Sequence, residues 1–512
     1  MNAQKHFLIG LFVLTSGLQM SCKSDSPEPV VDAPLITSLF IADVSDNGNA
    51  TDIEVSFSRA ADETKISAYR LIIAPENLQL SLELVEGLAN DRFVALSPDG
   101  QNKQFLLPIG TLDAEGNAIV EAKPYRAYVL SVADGSEATQ NTLSTRSASL
   151  ELLNKDIILE RIINTEMAAW DLTSLAIAAV VDGEIVLNQG FGTNSINSNT
   201  PSSGNSLYIA SSISKLFVAT AIMQQSERGV IDLDEDAGTY LGFPLRNPNF
   251  PNEVITVRSL LTHQAALANP GQEAPELNTI YIDSVFSMGS WVKEFLVPGE
   301  SHYNAALWKD YAPNSQHVNS NLGVTILAHL VEKVTGKEFR DYAEDEIFSP
   351  LGMDNTAYRM STTGYFDETL LTDVFGASGN VLTPYFEGAV YPAGWMRLSV
   401  ADLAQFMLAI LNKGELNGQR ILEEVTVATM LEVRYPNANL AFESGVAALW
   451  RAFRSDWLGH TAGGIVTGSL MLNPESRKGF VVMTNKRGIL TVSPDDGSGK
   501  IYQALEDYLS DF

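Results

Sequence analysis

The residues with the clearest chemical potential are Ser212 and Lys215, three positions apart at the start of an apolar run over 207–229. Residues three apart share one face of a helix, so the Lys215 amine can reach the Ser212 hydroxyl. A neighbouring basic group activates a serine by taking its proton, and the start of a helix supplies N–H groups that stabilise an oxyanion. The pair predicts a serine nucleophile, but Ser290 and Lys293 have the same spacing.

The composition is that of a folded, acidic protein with more than one domain. At 512 residues the chain is too long for one ordinary hydrophobic core, and its 45% hydrophobic and 19% charged content is typical of globular proteins. The formal net charge of −29 repels phosphate backbones. Nucleic acid is therefore excluded as a partner, and we interpret the acidity mainly as a source of solubility.

The N-terminus has the pattern of an export signal. A short basic start precedes an apolar run at 7–13, which is too brief to span a bilayer. Cys22, the one cysteine of the sequence, follows a small residue, as in bacterial lipoprotein signals, which this stretch resembles. We expect a signal peptide at 1–21, a tether at 22–34 lipidated on Cys22, and anchoring at the cell envelope. The alternative is an ordinary signal with an incidental cysteine.

The region 35–152 alternates apolar and polar residues between turn clusters, which predicts short strands. The clearest strand patterns are at 52–57, 68–73, 104–107 and 125–132. Strands at this spacing indicate an all-β sandwich. Residues 124–129 resemble the sixth strand of a fibronectin type III domain, and 69–72 resemble its third. The region contains no catalytic constellation, and the fold by itself implies no function.

The region 153–512 combines strands from both of its ends with a helical middle. Two apolar runs joined by Asp182-Gly183 predict a hairpin. Helices are expected at 157–169 and 501–509, strands at 469–472 and 480–484, and further helices at 230–241, 257–267, 321–335 and 398–411. We therefore expect an α/β (α+β) domain whose antiparallel sheet is flanked by terminal helices and accompanied by a helical subdomain.

From about residue 157 to the end, the chain resembles the class C β-lactamase-related serine hydrolases, which include β-lactamases, D-alanyl-D-alanine carboxypeptidases and esterases. The phrases that match in order are YIASSISK at 208–215, IDLDED at 231–236, ITVRSLLTH at 255–263, PLGMDNT at 350–356, PAGW at 392–395 and GHT at 459–461. The resemblance implies a β-lactamase/transpeptidase-like fold and an acyl-enzyme on Ser212, with Lys215 moving the proton. It also selects Ser212 over Ser290.

The second motif of that family is Tyr-x-Asn, in which the tyrosine relays the proton of the serine. The flanking sequence aligns it with 319–321, so Asn319 stands where the tyrosine is expected. An amide has no proton that titrates in the useful range and cannot serve as a base. Asn321 matches the retained asparagine, which the resemblance assigns to the Lys215 ammonium and a substrate carbonyl.

The third motif, Lys-Thr-Gly or His-Thr-Gly, aligns with His460, Thr461 and Ala462. The resemblance implies that these residues line a strand edge and position the substrate, and that Gly463 supplies the second oxyanion N–H beside that of Ser212. Because alanine replaces glycine, we expect the Ala462 methyl group to obstruct substrate. The family loop His-Thr-Ser-Gly-Leu also loses its glycine, since 263–267 reads His-Gln-Ala-Ala-Leu.

Histidine offers a possible replacement base but no metal site. His317, two residues before Asn319, could replace the tyrosine, although a solvated loop histidine is the simpler interpretation. The six histidines are scattered and form no His-Glu-x-x-His pattern, so we expect no metal and no cofactor.

Two hypotheses of different class follow. The first is a serine hydrolase acting on a peptidoglycan stem peptide, a β-lactam or a small ester or amide. The second is a catalytically silent binding lipoprotein that keeps the fold and the groove. Ser212 and Lys215 favour the first hypothesis, whereas Asn319 and Ala462 favour the second. In either case the expected partners are a small-molecule or peptidoglycan-like ligand and, through the lipid on Cys22, a membrane; the protein is expected to be a monomer.

Overall fold

The computed structural model describes residues 30–45, 48–197, 199–268, 287–358, 365–375, 381–382, 388–436, 443–453, 457–464, 466–486, 499–510 and 512. Cys22 and the predicted signal peptide lie outside these residues. The chain divides into two compact units between Ile157 and Ile158. In the described part of the chain, no helix has the length and apolar character needed to cross a membrane.

In its described residues, the first unit has eight strands and one short α-helix. They are β1 (Leu39–Asp43), β2 (Ile53–Phe57), β3 (Ile66–Pro75), α1 (Leu82–Glu86), β4 (Val94–Leu96), β5 (Lys103–Leu106), β6 (Pro124–Ala133), β7 (Thr142–Leu143) and β8 (Leu150–Glu151). One antiparallel sheet has the order β1-β2-β5, and the other has the order β4-β3-β6-β7, with β8 also pairing with β6.

The two sheets of this unit share one core because their strands alternate buried and exposed residues. Val55 of β2, Leu71 of β3 and Val129 of β6 are buried in the same cluster. The opposite side of β3 and β6 is covered by α1 and the loops around it, through Val85 and other apolar residues. The described end of the predicted tether is also folded, since the Ala33 N–H donates to the Gln140 carbonyl at 2.8 Å.

The second unit is larger and is built around one eight-stranded sheet. Its strands are β9 (Ser174–Val181), β10 (Glu184–Gly192), β11 (Tyr208–Ile209), β12 (Val374–Phe375), β13 (Val381–Leu382), β14 (Arg397–Leu398), β15 (Glu415–Leu416), β16 (Gln419–Arg420), β17 (Tyr435–Pro436), β18 (Glu443–Val446), β19 (Arg451–Phe453), β20 (Leu458–Ala462), β21 (Gly468–Asn473) and β22 (Lys478–Thr484). The order β10-β9-β22-β21-β20-β19-β18-β17 is antiparallel throughout. Strands from both ends of the region therefore form one sheet, as the sequence predicted.

The helices of this unit cover both faces of the sheet. They are α2 (Lys155–Trp170), α3 (Lys215–Glu227), α4 (Ala237–Leu241), α5 (Val257–Leu261), α6 (Met288–Leu296), α7 (Asn321–Thr335), α8 (Phe339–Ala343), α9 (Ser349–Leu351), α10 (Val400–Leu411), α11 (Glu424–Leu431) and α12 (Lys500–Ser510). The terminal helices α2 and α12 pack on one face. Helices α3, α7 and α10 belong to the main core on the other face. Strand β9 is buried throughout because it lies between these two layers.

Two of the predicted helices are shorter than expected. The segment predicted at 230–241 becomes helical only from Ala237, because aspartate side chains bond the backbone of the preceding turn: Asp232 accepts from the Asp234 N–H, and Asp236 caps α4. The segment predicted at 257–267 ends at Leu261, since His263 has φ +55° and cannot continue a right-handed helix.

Candidate active site

The predicted nucleophile lies on the turn that leads into α3. Residues Ser211–Ser214 form one turn of 3₁₀ helix, and α3 follows at Lys215. The Lys215 Nζ donates to the Ser212 Oγ at 2.6 Å. The contact forms because three residues of this tight turn bring the two side chains onto one face. The structure therefore brings Ser212 and Lys215 together, as the spacing predicted.

Lys215 is buried, with only 1% of its surface exposed. Burial penalises the charged ammonium, and the positive charge of Arg451 penalises it further, so the pKa of Lys215 is lowered to about 7. Near neutral pH a substantial fraction of Lys215 is therefore the neutral amine, which has a lone pair available to accept the Ser212 proton. An exposed lysine would be almost wholly protonated under these conditions.

The two asparagines of the second motif face different cavities. Ser320 caps α7, its hydroxyl accepting from the Gly323 N–H and donating to the Ala268 carbonyl. Asn321, the first residue of α7, lines a cavity of about 200 Å³ together with Ser212. Asn319 lines a second cavity of about 280 Å³. The structure thus brings Asn321 to the nucleophile, while the position of the missing tyrosine opens onto a neighbouring space.

The second cavity has a mixed lining, in which His263, His317, His460, Asn319 and Arg451 stand beside Val318, Val446 and Leu449. Burial lowers the pKa of His263 and His460 well below 6.5, and the charges of Lys215 and Arg451 lower both further. The pKa of His317 is lowered to about 4, first by burial and then by Arg451. All three imidazoles are therefore neutral at neutral pH. Partial burial also means that His317 is not the solvated loop residue that we expected.

The third motif occupies the end of β20. His460 is buried, and its Nδ1 donates to the Thr461 carbonyl at 2.9 Å, which leaves Nε2 as the acceptor nitrogen of the neutral ring. The Thr461 Oγ1 accepts from the Arg451 Nη1 at 2.8 Å. Strand β19 pairs with β20 at Leu458 and Gly459. In the described part of the chain, the motif residues 460–462 therefore have no partner residue on β19.

The expectation for Ala462 requires a correction. Its side chain is 4% exposed and packs in the main core, whereas the cavity beside Ser212 is lined by the next residues, Gly463 and Gly464. Gly463 follows the last residue of β20, and the Ala462 methyl group packs among main-core residues instead of lining this cavity. It therefore does not obstruct the groove as the sequence suggested.

Gly463 lies beside the nucleophile, but its N–H already has an acceptor. It donates to the Ser211 Oγ at 3.2 Å, and the Ser211 hydroxyl in turn donates to the Gly463 carbonyl. The second oxyanion donor implied by the sequence is therefore at the site, and in this structure it is engaged with a neighbouring side chain.

A family model described as Beta-lactamase matches residues 159–498, which is more than half of the chain. The chain belongs to the β-lactamase family. Among curated proteins it is similar to Protein flp of Staphylococcus aureus (strain N315), 22% identical over 332 residues, which cover 64% of this chain and 62% of flp. It is also similar to the putative penicillin-binding protein PbpX of Bacillus subtilis (strain 168), 27% identical over 253 residues, covering 48% of this chain and 56% of PbpX. The match thus spans about three fifths of the length of these relatives.

Solved structures show the same fold. The octameric penicillin-binding protein homologue from Pyrococcus abyssi aligns with a TM-score of 0.57 and 22% identity, covering 68% of this chain and 76% of that one. The class C β-lactamase from Rhodobacter sphaeroides aligns with a TM-score of 0.54 and 17% identity, covering 69% and 99%. The second unit therefore has the mixed α/β fold of the β-lactamase family of serine hydrolases.

Sequence reasoning missed two residues of this β-lactamase-family site. Arg451 is on β19 and reaches the site because β19 pairs with β20. No local sequence motif predicts this pairing. Ser211 belongs to the motif at 208–215 that contains Ser212. Its position directly before the nucleophile was the one sequence feature that could have indicated its place in the site. Its contacts with Gly463, 252 positions away in sequence, depend on the folded chain.

Proposed function

We propose that this protein is a serine hydrolase that forms an acyl-enzyme on Ser212 from an amide or ester carbonyl. The observation that carries the proposal is the 2.6 Å contact between the Lys215 Nζ and the Ser212 Oγ, made by a buried lysine whose pKa is about 7. A nucleophile in contact with a base that is partly neutral at working pH is the arrangement that covalent catalysis requires.

In the proposed reaction, the Lys215 amine takes the hydroxyl proton as the Ser212 Oγ attacks the carbonyl carbon. The carbonyl oxygen becomes an oxyanion held by the N–H groups of Ser212 and Gly463, and Asn321 positions the substrate carbonyl. The Lys215 ammonium then gives its proton to the leaving amine or alcohol as the bond to the acyl carbon breaks. Hydrolysis of the ester on Ser212 repeats these steps with water as the nucleophile and Ser212 as the leaving group.

Without a tyrosine at 319, no side chain at that position can relay a proton when water attacks the acyl-enzyme. We expect this loss to slow the hydrolysis of the acyl-enzyme more than the attack by Ser212. The cavity beside Asn319 has a volume of about 280 Å³ and contains polar groups of three histidines and Arg451, so it can hold water molecules that could pass protons to Lys215. The neutral His460 can accept a hydrogen bond from such water through its Nε2, whereas the His263 Nδ1 already accepts from the Ser320 N–H, so the His263 Nε2–H can only donate. We therefore propose that hydrolysis of the acyl-enzyme is the slow step.

Three substrate classes fit this chemistry: a peptidoglycan stem peptide, a β-lactam and a small ester or amide. The names of the similar proteins, penicillin-binding protein and class C β-lactamase, support the first two. We also propose export, lipidation on Cys22 and membrane attachment, supported by the N-terminal sequence. The two-sheet arrangement of the first unit supports a fibronectin III-like identity. We keep monomeric assembly and the absence of a nucleic-acid partner as part of this proposal.

The second candidate is a silent binding protein, and one specific observation favours it: Asn319 stands at the relay position and cannot transfer a proton. Such a protein would bind the substrate carbonyl beside Ser212 without forming a covalent bond. The two candidates differ in one measurable property, the appearance of a covalent adduct on Ser212.

The deciding experiment is labelling of the purified full chain with a fluorophosphonate, followed by peptide mapping. The hydrolase predicts an adduct on Ser212 that disappears in Ser212→Ala. Ser290→Ala is the matched control, because it removes the exposed serine of the other Ser-x-x-Lys pair, and this variant should label at the wild-type rate. A wild-type protein that stays unlabelled over long incubation would establish the silent binding protein instead.

A further inference from the structure

Ser211, the residue before the nucleophile, has an unusual backbone and two unusual contacts. Its φ is +47°, in the left-handed region that side chains other than glycine rarely adopt. Its hydroxyl accepts from the Gly463 N–H at 3.2 Å and donates to the Gly463 carbonyl. Both backbone groups of one residue are thus bound by a single hydroxyl on a strained turn.

These contacts conflict with the role proposed for Gly463. A backbone amide has one proton, and the Gly463 proton is directed at the Ser211 Oγ rather than into the cavity beside Ser212. An oxyanion on the substrate would have to displace that hydroxyl before it could use this donor. In its resting geometry the site therefore offers the oxyanion one N–H, that of Ser212, instead of two.

The segment that carries Gly463 is suited to a change of position. Gly463 and Gly464 are both exposed and both line the cavity, and Gly464 has φ +103°, a conformation that glycine adopts without strain. Neither glycine has another atom within 4 Å of where a β-carbon would stand. Ser211, by contrast, is 8% exposed and is held by the Ser214 hydroxyl, which donates to the Ser211 carbonyl at 2.7 Å.

We infer that Ser211 is a gating residue, whose hydroxyl holds the Gly463 N–H in the resting protein and must release it before acyl transfer to Ser212. This inference rests on the proposed hydrolase function. Ser211 lines the same cavity as Ser212, and the gate acts through the contact of its hydroxyl with Gly463. Displacing one neutral hydrogen bond slows the step by about two- to tenfold, and removing the hydroxyl should recover that factor.

The test compares the rate of fluorophosphonate labelling at Ser212 in wild type, Ser211→Ala and Ser211→Gly. The gate predicts that both variants label about two- to tenfold faster. With an activated ester, the rate constant of acylation, measured in the pre-steady-state burst, should rise while the Kd of the ester stays constant, because the planar carbonyl uses the Gly463 donor less than the oxyanion does. Asn417→Gly is the matched control, since Asn417 is exposed on a distant turn with φ +52° and its replacement removes a similar strain without touching the site.

The outcomes separate the gate from the hydrolase itself. If the wild type is labelled and Ser211→Ala and Ser211→Gly are labelled no faster, the hydroxyl only stabilises the local structure. The gate is then wrong, while the hydrolase proposal is unaffected. If neither wild type nor variants are labelled, both proposals are wrong.

Discussion

The two Ser-x-x-Lys pairs of this chain have the same spacing and entirely different surroundings. In the first, Lys215 is buried and its Nζ contacts the Ser212 Oγ at 2.6 Å. In the second, the side chain of Lys293 is 52% exposed and forms an ion pair with Glu300 at 3.0 Å. The Ser290 hydroxyl is bound by that of Ser287, the residue that caps α6.

The difference arises from the helices that carry the pairs. Helix α3 is buried over nearly its whole surface, so its first residue is surrounded by protein. Helix α6 has one apolar face, which buries Trp291 and Phe295, and its polar face leaves Ser290 and Lys293 in water. Spacing brings a hydroxyl and an amine onto one helix face, but only burial lowers the pKa of the amine enough to make it a base.

The largest effect should come from replacing each lysine by methionine, which keeps the length of the side chain and removes the amine. Lys215→Met should slow labelling of Ser212 about a thousandfold, because the nucleophile loses its base. Lys293→Met should leave the labelling rate unchanged. If the labelling rate falls equally in both variants, or in neither, Lys215 is not the specific base of Ser212 and the two Ser-x-x-Lys pairs do not differ in function.

The same variants should differ in stability. Since the pKa of Lys215 is about 7 in the folded protein and the ordinary value of a lysine is 10.5, the unfolded chain binds more protons between these values. The stability of wild type relative to Lys215→Met should therefore rise with pH across this window, whereas Lys293→Met should follow wild type. Urea unfolding at pH 7 and pH 10 measures the difference, and a gap that does not change with pH would show that Lys215 is not buried as described.

A smaller effect is expected from restoring the missing relay. Asn319→Tyr should raise the turnover of an activated ester about tenfold, because a phenol near Lys215 can pass protons during hydrolysis of the acyl-enzyme. The cavity of about 280 Å³ beside Asn319 has room for the larger ring. Asn319→Phe is the control, since it fills the same space without a hydroxyl. If the Tyr and Phe variants behave alike, the loss of the relay is not what limits the protein.

The smallest effect concerns the loop that lies against the second motif. Ala266 has φ +56° at the position where the family resemblance places glycine. Ala266→Gly should raise the free energy of unfolding by about 1 kcal/mol, because glycine adopts this conformation without strain. Ala404→Gly, inside α10, is the opposite control and should lower it by about 1 kcal/mol. Urea unfolding of both variants checks the sign, and a destabilised Ala266→Gly would contradict it.

Much of the fold was predictable because its signals are local. The hairpin of β9 and β10 formed where two apolar runs meet at Asp182-Gly183, and both turn residues have the positive φ that such a turn requires. The terminal helices α2 and α12 followed from their apolar periodicity. The two shortened helices also have local causes: aspartate side chains bind backbone N–H groups before α4, and His263, with φ +55°, prevents α5 from continuing.

The sequence predicted in part which residues lie beside Ser212, and it did not predict their burial or protonation. Motif order selected Ser212 over Ser290 and placed Asn321 beside it. The pKa of Lys215, the position of Arg451 and the burial of Ala462 depend on how distant strands pair and pack. These properties involve residues far apart in the sequence, so no local pattern could indicate them.

The most direct test of Lys215 as the base is the pH dependence of fluorophosphonate labelling at Ser212 between pH 5 and pH 9. The expected profile rises with pH, has a midpoint near 7 and then levels off, because only the neutral amine can take the serine proton. Titration of His263 and His460 should not add a second transition to the labelling profile near pH 7, since their pKa values lie well below 6.5. A flat profile, or one still rising toward the ordinary lysine value of 10.5, would contradict the account.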